Sequence, residues 1–373
     1  MKIDKSEISG TRFMFTIAFF LQSSALLTSF LAGVTKHESW LVIVFGIIVC
    51  LPLLYLYRTI MVMFPDKSLL QVLEEVYGKV AGKILGVFYF WFFLTLTSLN
   101  LTDLGDFVKV SVMGETPHII LILMCILVSV YAVRFGIKVV TRYGALFTVI
   151  EVAILILTIF LTLNQIKLQN FLPMFQLPLK KYIQGTHIIA TIPAGELIIF
   201  LMITPNVKLT RKGATKYWFW GAGIGMLTLL IVMLRDIAIL GNTLHLFTLP
   251  GLVTLRLVNL GESLSRMEIL FAAALIMLLF FKITFLCYVT TITVAQLVNA
   301  KTFKHLALIV GILAVAYSNT LYPNPIIHAA SARETVPIIW SIFEIIIPLI
   351  TFIIAKIRKL PKVQTGMARG QEA

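Results

Sequence analysis

Ten apolar stretches, separated by short polar segments, dominate the pattern of hydrophobic and polar positions along this chain. A run of about 20 apolar residues, rising about 1.5 Å per residue, crosses the hydrocarbon core of a bilayer as a helix. Lipid offers no hydrogen bonds to an exposed backbone, so the pattern predicts a bundle of membrane-spanning helices. The predicted spans are 13–33, 40–63, 84–102, 118–133, 143–163, 186–205, 217–234, 269–297, 306–322 and 336–355.

The Lys and Arg residues are concentrated in every second gap between these spans. The side that holds both termini carries 21 of them, and the opposite side carries nine. Because cytoplasmic loops hold the excess of positive charge, both termini are predicted to be cytoplasmic, and the even number of spans agrees. The net charge of +14 is spread over short loops in a chain that is 59% hydrophobic. This distribution indicates a lipid bilayer, and not nucleic acid, as the partner surface.

Three segments outside the spans have patterns of their own. Apolar residues at i, i+4, i+7 and i+11 in segment 67–83 predict an amphipathic helix on the inner membrane surface. Segment 235–268, with its Gly and Pro breakers, is predicted to be a long outer loop of the kind that forms a lid. The polar tail 361–373 is predicted to be disordered. Residues 1–360 are then expected to form a single membrane domain.

Polar and charged groups lie at the centres of several spans, where the bilayer midplane is expected. Span 1 is interrupted by Gln22–Ser24 and span 6 by Pro193–Glu196, while Lys282, Glu151 and Glu344 lie near the middle of spans 8, 5 and 10. A charge at this depth costs about 2.5–3.5 kcal/mol on insertion scales. These side chains must therefore face the bundle interior, water or one another. The N–H groups that a proline break sets free favour an anionic ligand group.

Each of these features also has a purely structural interpretation. Gln22–Ser24 could form hydrogen bonds between helices, and Pro193 could be a simple kink. Glu196 could cap the helix that follows the break. Lys282 could be the ion-pair partner of any one of the three glutamates, and the polar run 95–106 could line the wet end of span 3.

The two interrupted spans are five spans apart, and they begin on opposite sides of the membrane. Two inverted repeats of five helices produce this relation. The predicted fold is therefore an all-α integral membrane protein of ten transmembrane helices in a 5+5 inverted repeat, with helices 1 and 6 broken. Repeat one would cover about residues 10–165 and repeat two about residues 180–356.

Three stretches make the chain similar to a known family. They are SLLQVLEEVYGKVAGKILG, then LPGLVTLRLVNLGESLSRMEIL with Pro250, Arg256 and Arg266–Glu268, and finally FFKITFLCYVTTITVAQLVNAKTFKHL with Lys282. On these motifs, and over about residues 5–355, the chain resembles the spore germination permeases. These are the B subunits of nutrient germinant receptors in endospore-forming bacteria, and they belong to the amino acid–polyamine–organocation (APC) transporter superfamily.

The resemblance implies a LeuT/APC-like fold with a small-nutrient site where broken spans 1 and 6 meet spans 3 and 8. It also implies a place in the spore inner membrane or cell membrane, with an A-type membrane subunit and a C-type lipoprotein as partners. The chain departs from the superfamily at the break in span 1, which usually contains glycines and here contains Ser23 and Ser24.

The predicted binding site combines both breaks with spans 3 and 8. The residues expected to contact the nutrient are Gln22, Ser23, Ser24, Ala25, Thr97, Asn100, Pro193, Ala194, Gly195 and Glu196. Of these, Thr97 and Asn100 are expected to line the approach from outside. Lys282 is expected to stand in for a bound cation, because its ammonium supplies the charge of a sodium ion, or else to move a proton.

A nutrient-sensing subunit is the first functional hypothesis, with an amino acid as the leading ligand class. A proton-coupled amino-acid transporter is the alternative, with Lys282 and Glu196 as coupling groups. A scaffold that only anchors other receptor subunits is a third possibility. The sequence contains no Ser/His/Asp set, metal-ligand spacing or phosphate loop, so neither an enzyme nor a cofactor is predicted.

Overall fold

The computed structural model describes residue 4 and residues 6–257 and 268–361, and helices make up most of this part of the chain. In chain order the α-helices are α1 (Gly10–Gln22), α2 (Leu27–Thr35), α3 (Ser39–Met63), α4 (Leu69–Tyr77), α5 (Lys79–Ser111), α6 (His118–Val133), α7 (Ile137–Val140), α8 (Gly144–Thr162), α9 (Leu179–Thr191), α10 (Arg211–Leu240), α11 (Pro250–Arg256), α12 (Glu268–Leu297), α13 (Leu306–Leu321), α14 (Pro325–Glu334), α15 (Val336–Ser341) and α16 (Ile347–Ile357). The 3₁₀ segments are Lys36–Glu38, Leu163–Gln165, Leu168–Phe171, Gly195–Asn206 and Gly241–Leu246, and a π-helical turn covers Ile342–Ile346.

Seven helical stretches among the described residues are long and apolar enough to cross a membrane. They are Ser29–Met63, Lys79–Ser111, Ile137–Gln165, Leu179–Asn206, Arg211–Leu246, Ile269–Leu297 and Val336–Ile357. The pair α13 and α14, bent by 93°, makes an eighth if it is counted as one span. Predicted span 1 is divided between α1 and α2, and predicted span 4 corresponds to α6, which has only 16 residues. These differences account for the smaller number.

The first helix is interrupted at its polar run. Helix α1 ends at Gln22, and α2 begins only at Leu27. The Ser23 hydroxyl donates to the carbonyl of Phe19 at 2.7 Å, and the Ser24 N–H bonds to Leu21 three residues back. A serine hydroxyl that bonds back into the preceding turn competes with the regular helix ladder and bends it. The turn at 23–26 therefore follows from local chemistry.

The second interruption lies between α9 and the 3₁₀ segment Gly195–Asn206. Pro193 has no N–H to continue the ladder, and its ring clashes with the turn before it. The chain then tightens into a 12-residue 3₁₀ segment, which is far longer than usual. A Cβ at position 195 would overlap the Glu344 carboxylate, so a larger residue there would have to displace that side chain.

Helix α1 packs along α10, and α12 packs along α5. Glycines bring α1 and α10 together: a Cβ at Gly221 would lie 2.6 Å from the Met14 carbonyl oxygen, and one at Gly225 would lie 2.9 Å from that of Ala18. Small residues at a helix crossing let two backbones approach closely, which is the usual way that membrane helices gain packing energy. The first half of the broken helix, α1, is thus anchored along α10.

The segment predicted as one amphipathic helix, 67–83, is divided. A capping box at Ser68 starts α4, whose Leu69, Leu73 and Val76 are buried. Gly78 then adopts φ 89°, which ends α4, and α5 begins at the next residue. Val80, expected on the apolar face of the surface helix, is 76% exposed as part of α5.

The predicted outer loop 235–268 also contains more helix than expected. Helix α10 continues through Arg235 to Leu240, and α11 follows. Arg235 is buried because its guanidinium donates twice to Asp236, at 2.9 and 2.7 Å, and once to Thr158 at 2.7 Å. The motif residues Arg266 and Met267 lie outside the described residues, as does tail segment 362–373.

Candidate functional site

A cavity of about 50 Å³ lies between the two breaks, which is room for a few water molecules. Its wall comes from the turn after α1 and from α2, α5, α12, α14 and α15. It also includes the break between α9 and the 3₁₀ segment Gly195–Asn206, which we term the helix 6 break because it interrupts predicted span 6. The lining residues are Ser23, Ser24, Leu26, Phe30, Leu96, Leu99, Asn100, Asp103, Ile192, Glu196, Leu279, Lys282, His328, Ala332, Val336 and Trp340. Polar groups from the turn, α5, the break, α12 and α14 therefore meet at one small cavity.

Lys282 connects the two breaks. Its Nζ lies 2.7 Å from Oε2 of Glu196 and donates to the Ser24 hydroxyl at 3.0 Å. The same ammonium lies 4.9 Å from the centre of the Phe20 ring, a cation–π distance. Lys282 and Glu196 are each about 3% exposed, so neither charge is compensated by bulk water. The sequence allowed Glu151, Glu196 or Glu344 as the ion-pair partner of Lys282, and in the structure the partner is Glu196.

The cavity continues towards a second and larger one of about 330 Å³. This vestibule lies beside the C-terminal end of α5, on the face predicted to be external, and Asp106 and Phe107 contribute to its wall. The residues that line both spaces are Leu26, Phe30, Asp103 and His328. These four side chains, which we term the outer partition, separate the small cavity from the vestibule.

The outer partition is held by contacts of His328. Its Nδ1 lies 3.6 Å from Oδ1 of Asp103, and its ring stacks on Tyr322 with centroids 4.8 Å apart. The Phe30 ring approaches the same imidazole at 6.2 Å. Helices α2, α5 and α14 therefore meet at one histidine.

On the opposite side of Lys282, aromatic rings close the cavity. Phe200 stacks on Phe285 with centroids 4.9 Å apart, and Phe20 meets Phe200 edge-on at 5.7 Å. All three rings are fully buried. Aromatic packing therefore fills the space on this side of Lys282.

Five of the residues expected at the site line the cavity: Ser23, Ser24, Asn100, Glu196 and Lys282. They come from four elements that are distant in sequence. The Ser23 hydroxyl is engaged with the Phe19 carbonyl, and the Asn100 amide donates to the Leu96 carbonyl at 2.8 Å. The Asn100 amide oxygen stays available as an acceptor.

The other expected residues do not line this cavity. Gln22 donates to Thr228 of α10 at 3.1 Å, and the Thr97 hydroxyl lies 3.2 Å from that of Thr290. Ala25 faces a separate cavity of about 30 Å³ beside Glu151. The remaining three, Pro193, Ala194 and Gly195, are buried within the break. These positions form the break itself and do not contribute to the cavity wall.

The sequence contains weaker signals for other residues of the cavity wall. Asp103 belongs to the polar run 95–106 and follows Asn100 by three residues, so the two share a helical face. His328, Phe30 and Trp340 could not be placed from the sequence. The bend of 93° between α13 and α14 brings His328 over the cavity, and no local motif predicts that angle.

The comparisons with known proteins agree with this architecture. The family model described as "Spore germination protein" matches residues 7–325. Spore germination protein KB of Bacillus subtilis (strain 168) is 27% identical over 383 aligned residues, which cover all of both chains. Spore germination protein YndE of the same organism is 23% identical over 303 residues, covering 79% of this chain and 81% of its own.

Solved structures of transporters share the fold. Mhp1, a nucleobase-cation-symport-1 family transporter in a closed conformation with bromovinylhydantoin bound, has a TM-score of 0.64 and 14% identity over 88% of this chain and 76% of its own. MhsT in complex with L-phenylalanine has a TM-score of 0.59 and 12% identity over 94% and 89%. The fold is therefore an all-helical, LeuT-type transporter fold, and the chain is a multi-pass membrane protein that belongs to the spore germination permease family.

Proposed function

We propose that this chain is the nutrient-sensing, permease-like subunit of a spore germinant receptor. A small nutrient, with an amino acid as the leading class, would bind in the cavity between the broken helices. The observation that carries the proposal is the contact of Lys282 with both Ser24 and Glu196, because it ties the two breaks to one charge at the cavity wall.

An amino acid suits this wall for an electrostatic reason. Breaking a buried ion pair by removing one partner costs about 3–5 kcal/mol, because the other charge is left uncompensated. A zwitterion that inserts between Glu196 and Lys282 offers an ammonium to the first and a carboxylate to the second. Both protein charges then stay paired while the breaks move apart.

The vestibule supplies the route for the nutrient in this proposal. The outer partition has to open, and the Asp103–His328 pair and the Phe30 ring are the contacts to be broken. Binding then shifts the population between two arrangements of the broken helices, by the difference in the affinity of the nutrient for them. The ten helices would form the inverted 5+5 repeat, within which one half moves against the other.

Partner subunits would respond to the new arrangement of the broken helices. The A-type membrane subunit and the C-type lipoprotein of a germinant receptor are the partners we propose, in the spore inner membrane and with both termini of this chain cytoplasmic. Family membership and the excess of Lys and Arg on the terminal side support this arrangement.

The test is protection of an engineered cysteine. In a variant with Cys50, Cys125 and Cys287 replaced by alanine, Ser24→Cys places a thiol at the cavity, and Leu168→Cys places a control thiol at a position that is 75% exposed. Each L-amino acid would be added before a thiol reagent.

We expect at least one amino acid to slow labelling of Ser24→Cys about tenfold when it is present at about ten times its Kd. Labelling of Leu168→Cys should stay unchanged. Unchanged labelling of Ser24→Cys with every amino acid, sugar and nucleoside would contradict the proposal and favour the scaffold.

A proton-coupled amino-acid transporter is the second candidate. It is favoured by the fold, which the chain shares with transporters, and by a buried lysine–glutamate pair able to couple charge to movement. Uptake of a protecting amino acid into proteoliposomes separates the two functions. Accumulation driven by a proton gradient would establish transport, and binding without uptake would support sensing.

A further inference from the structure

Glu344 is a buried carboxyl group that the proposed nutrient site does not use. Its side chain has no measurable exposure, and it lies in the π-helical turn Ile342–Ile346 between α15 and α16. Neither Oε1 nor Oε2 has a hydrogen-bond partner. Single π-helical turns are rare and occur frequently at functional sites.

The polar groups closest to Glu344 are engaged elsewhere. The Tyr57 hydroxyl shares its one proton between two backbone carbonyls, that of Glu344 at 2.6 Å and that of Gly195 at 3.0 Å. The Tyr89 hydroxyl donates to the carbonyl of Phe343 at 2.7 Å. These tyrosines hold the π-helical turn against the helix 6 break and leave the carboxyl group without a donor.

The charges around Glu344 do not balance if it is ionised. The titratable groups that face it are Cys50 and Tyr57 of α3, Tyr89 of α5, Glu196 of the helix 6 break and Lys282 of α12. Lys282 is the single cation among them, and its Nζ lies 2.7 Å from Glu196. Two buried carboxylates would then share one ammonium.

A second, uncompensated carboxylate at this depth costs several kcal/mol, whereas a neutral carboxylic acid avoids most of that cost. We propose that Glu344 is a proton-binding site, and that its bound proton keeps the π-helical turn packed against Gly195. Loss of the proton to water would leave a negative charge beside Glu196. Repulsion between the two carboxylates would then push the π-helical turn, with α15 and α16, away from the break.

This inference adds a form of control to the proposed function. A nutrient that draws Lys282 away from Glu196 changes the charge that Glu344 meets, so proton occupancy and nutrient occupancy would be linked. That linkage rests on the proposed function, whereas the bound proton itself does not.

Infrared spectroscopy of the full chain in lipid nanodiscs tests the bound proton directly. A protonated carboxylic acid has a carbonyl stretching band that a carboxylate lacks. Spectra would be recorded at neutral pH, in light and heavy water, for the unmodified protein and for Glu344→Gln. The matched control is Asp66→Asn, which removes a carboxyl group that is exposed at the surface.

We expect the unmodified protein to show a carboxylic acid band that Glu344→Gln removes. The lost intensity should correspond to about one group per chain, and Asp66→Asn should leave the band unchanged. If Glu344→Gln removes no such band, Glu344 is ionised and the inference is wrong. The spectra need no nutrient, so this result is independent of whether any amino acid protects Ser24→Cys.

Discussion

Lys282 is the residue on which the arrangement of the site depends. It contacts Ser24, Glu196 and Phe20, which belong to the two broken helices. Because all of these groups are buried, the ammonium cannot be removed without exposing the Glu196 carboxylate to an apolar surrounding. Its removal should therefore affect stability as well as ligand binding.

We expect Lys282→Met to lower the free energy of unfolding by about 3–5 kcal/mol, because Glu196 is then buried without a cation. The double variant Lys282→Met/Glu196→Gln should recover most of this loss, since neither charge remains. Thermal unfolding of the four proteins of this double-mutant cycle in nanodiscs gives the measurement. Effects that add to within about 0.5 kcal/mol would show that the two residues are not coupled, against the observed geometry.

At the scale of single residues, the sequence predicted which polar residues lie near the centre of a span. It did not predict which of them form the ion pair. Ser24, Glu196 and Lys282 stand out because a polar group in the middle of an apolar span has few structural reasons to be there. The choice of Glu196 over Glu151 and Glu344 depends on the rotation of four helices about their axes. Nothing in the local sequence records those rotations.

Among the helices, the two breaks have causes that local sequence reveals. Back-bonding at Ser23 and the missing N–H of Pro193 act on their own helix turns, so the pattern was sufficient to find them. The end of α4 at Gly78 and the extension of α10 to Leu240 were missed. The first has a local cause, because Gly78 adopts a φ of 89° that ends the helix. In the second, the buried contacts of Arg235 with Asp236 and Thr158 override local periodicity.

Two glycines of α10 offer a matched test of how helix α1 is held. A Cβ at Gly225 would meet the Ala18 carbonyl oxygen at 2.9 Å, whereas one at Gly223 would meet nothing within 4 Å. We expect Gly225→Ala to lower the free energy of unfolding by about 1–3 kcal/mol through overpacking. Gly223→Ala should leave it unchanged or raise it by up to about 1 kcal/mol, because alanine is the better helix former.

Thermal unfolding of both alanine variants, side by side, decides the matter. Equal effects of the two substitutions would mean that α1 does not pack on the glycine face of α10.

At the scale of the whole molecule, the two sides of the cavity are closed by different kinds of contact. The outer partition consists of four side chains next to the larger vestibule, whereas the opposite side of Lys282 is filled by fully buried aromatic rings. On that opposite side, Asp4 also links α7 to α12. Its carboxylate accepts from the Ile137 N–H at 2.9 Å and from the Tyr288 hydroxyl at 2.8 Å. The nutrient should therefore reach the cavity from the vestibule.

Asp103→Asn should increase the rate at which a membrane-impermeant thiol reagent labels Ser24→Cys from the vestibule side. If the Asp103–His328 pair contributes about 1.4 kcal/mol to the closed arrangement, the rate should rise about tenfold. Asp106→Asn is the matched control, because Asp106 lines the vestibule but faces His118 at 3.5 Å instead of His328. Equal rates in Asp103→Asn and in the parent would rule out the outer partition as the barrier.

The central claim is that a small ligand lies between the two broken helices in contact with Lys282. A cryo-electron microscopy map of the chain, bound to the amino acid that best protects Ser24→Cys, tests it most directly. We expect ligand density within hydrogen-bond distance of Lys282 and Glu196, with the turn at 23–26 and the break at 193–195 on either side of it. Density for the ligand elsewhere, with Lys282 and Glu196 still paired as they are here, would contradict the account.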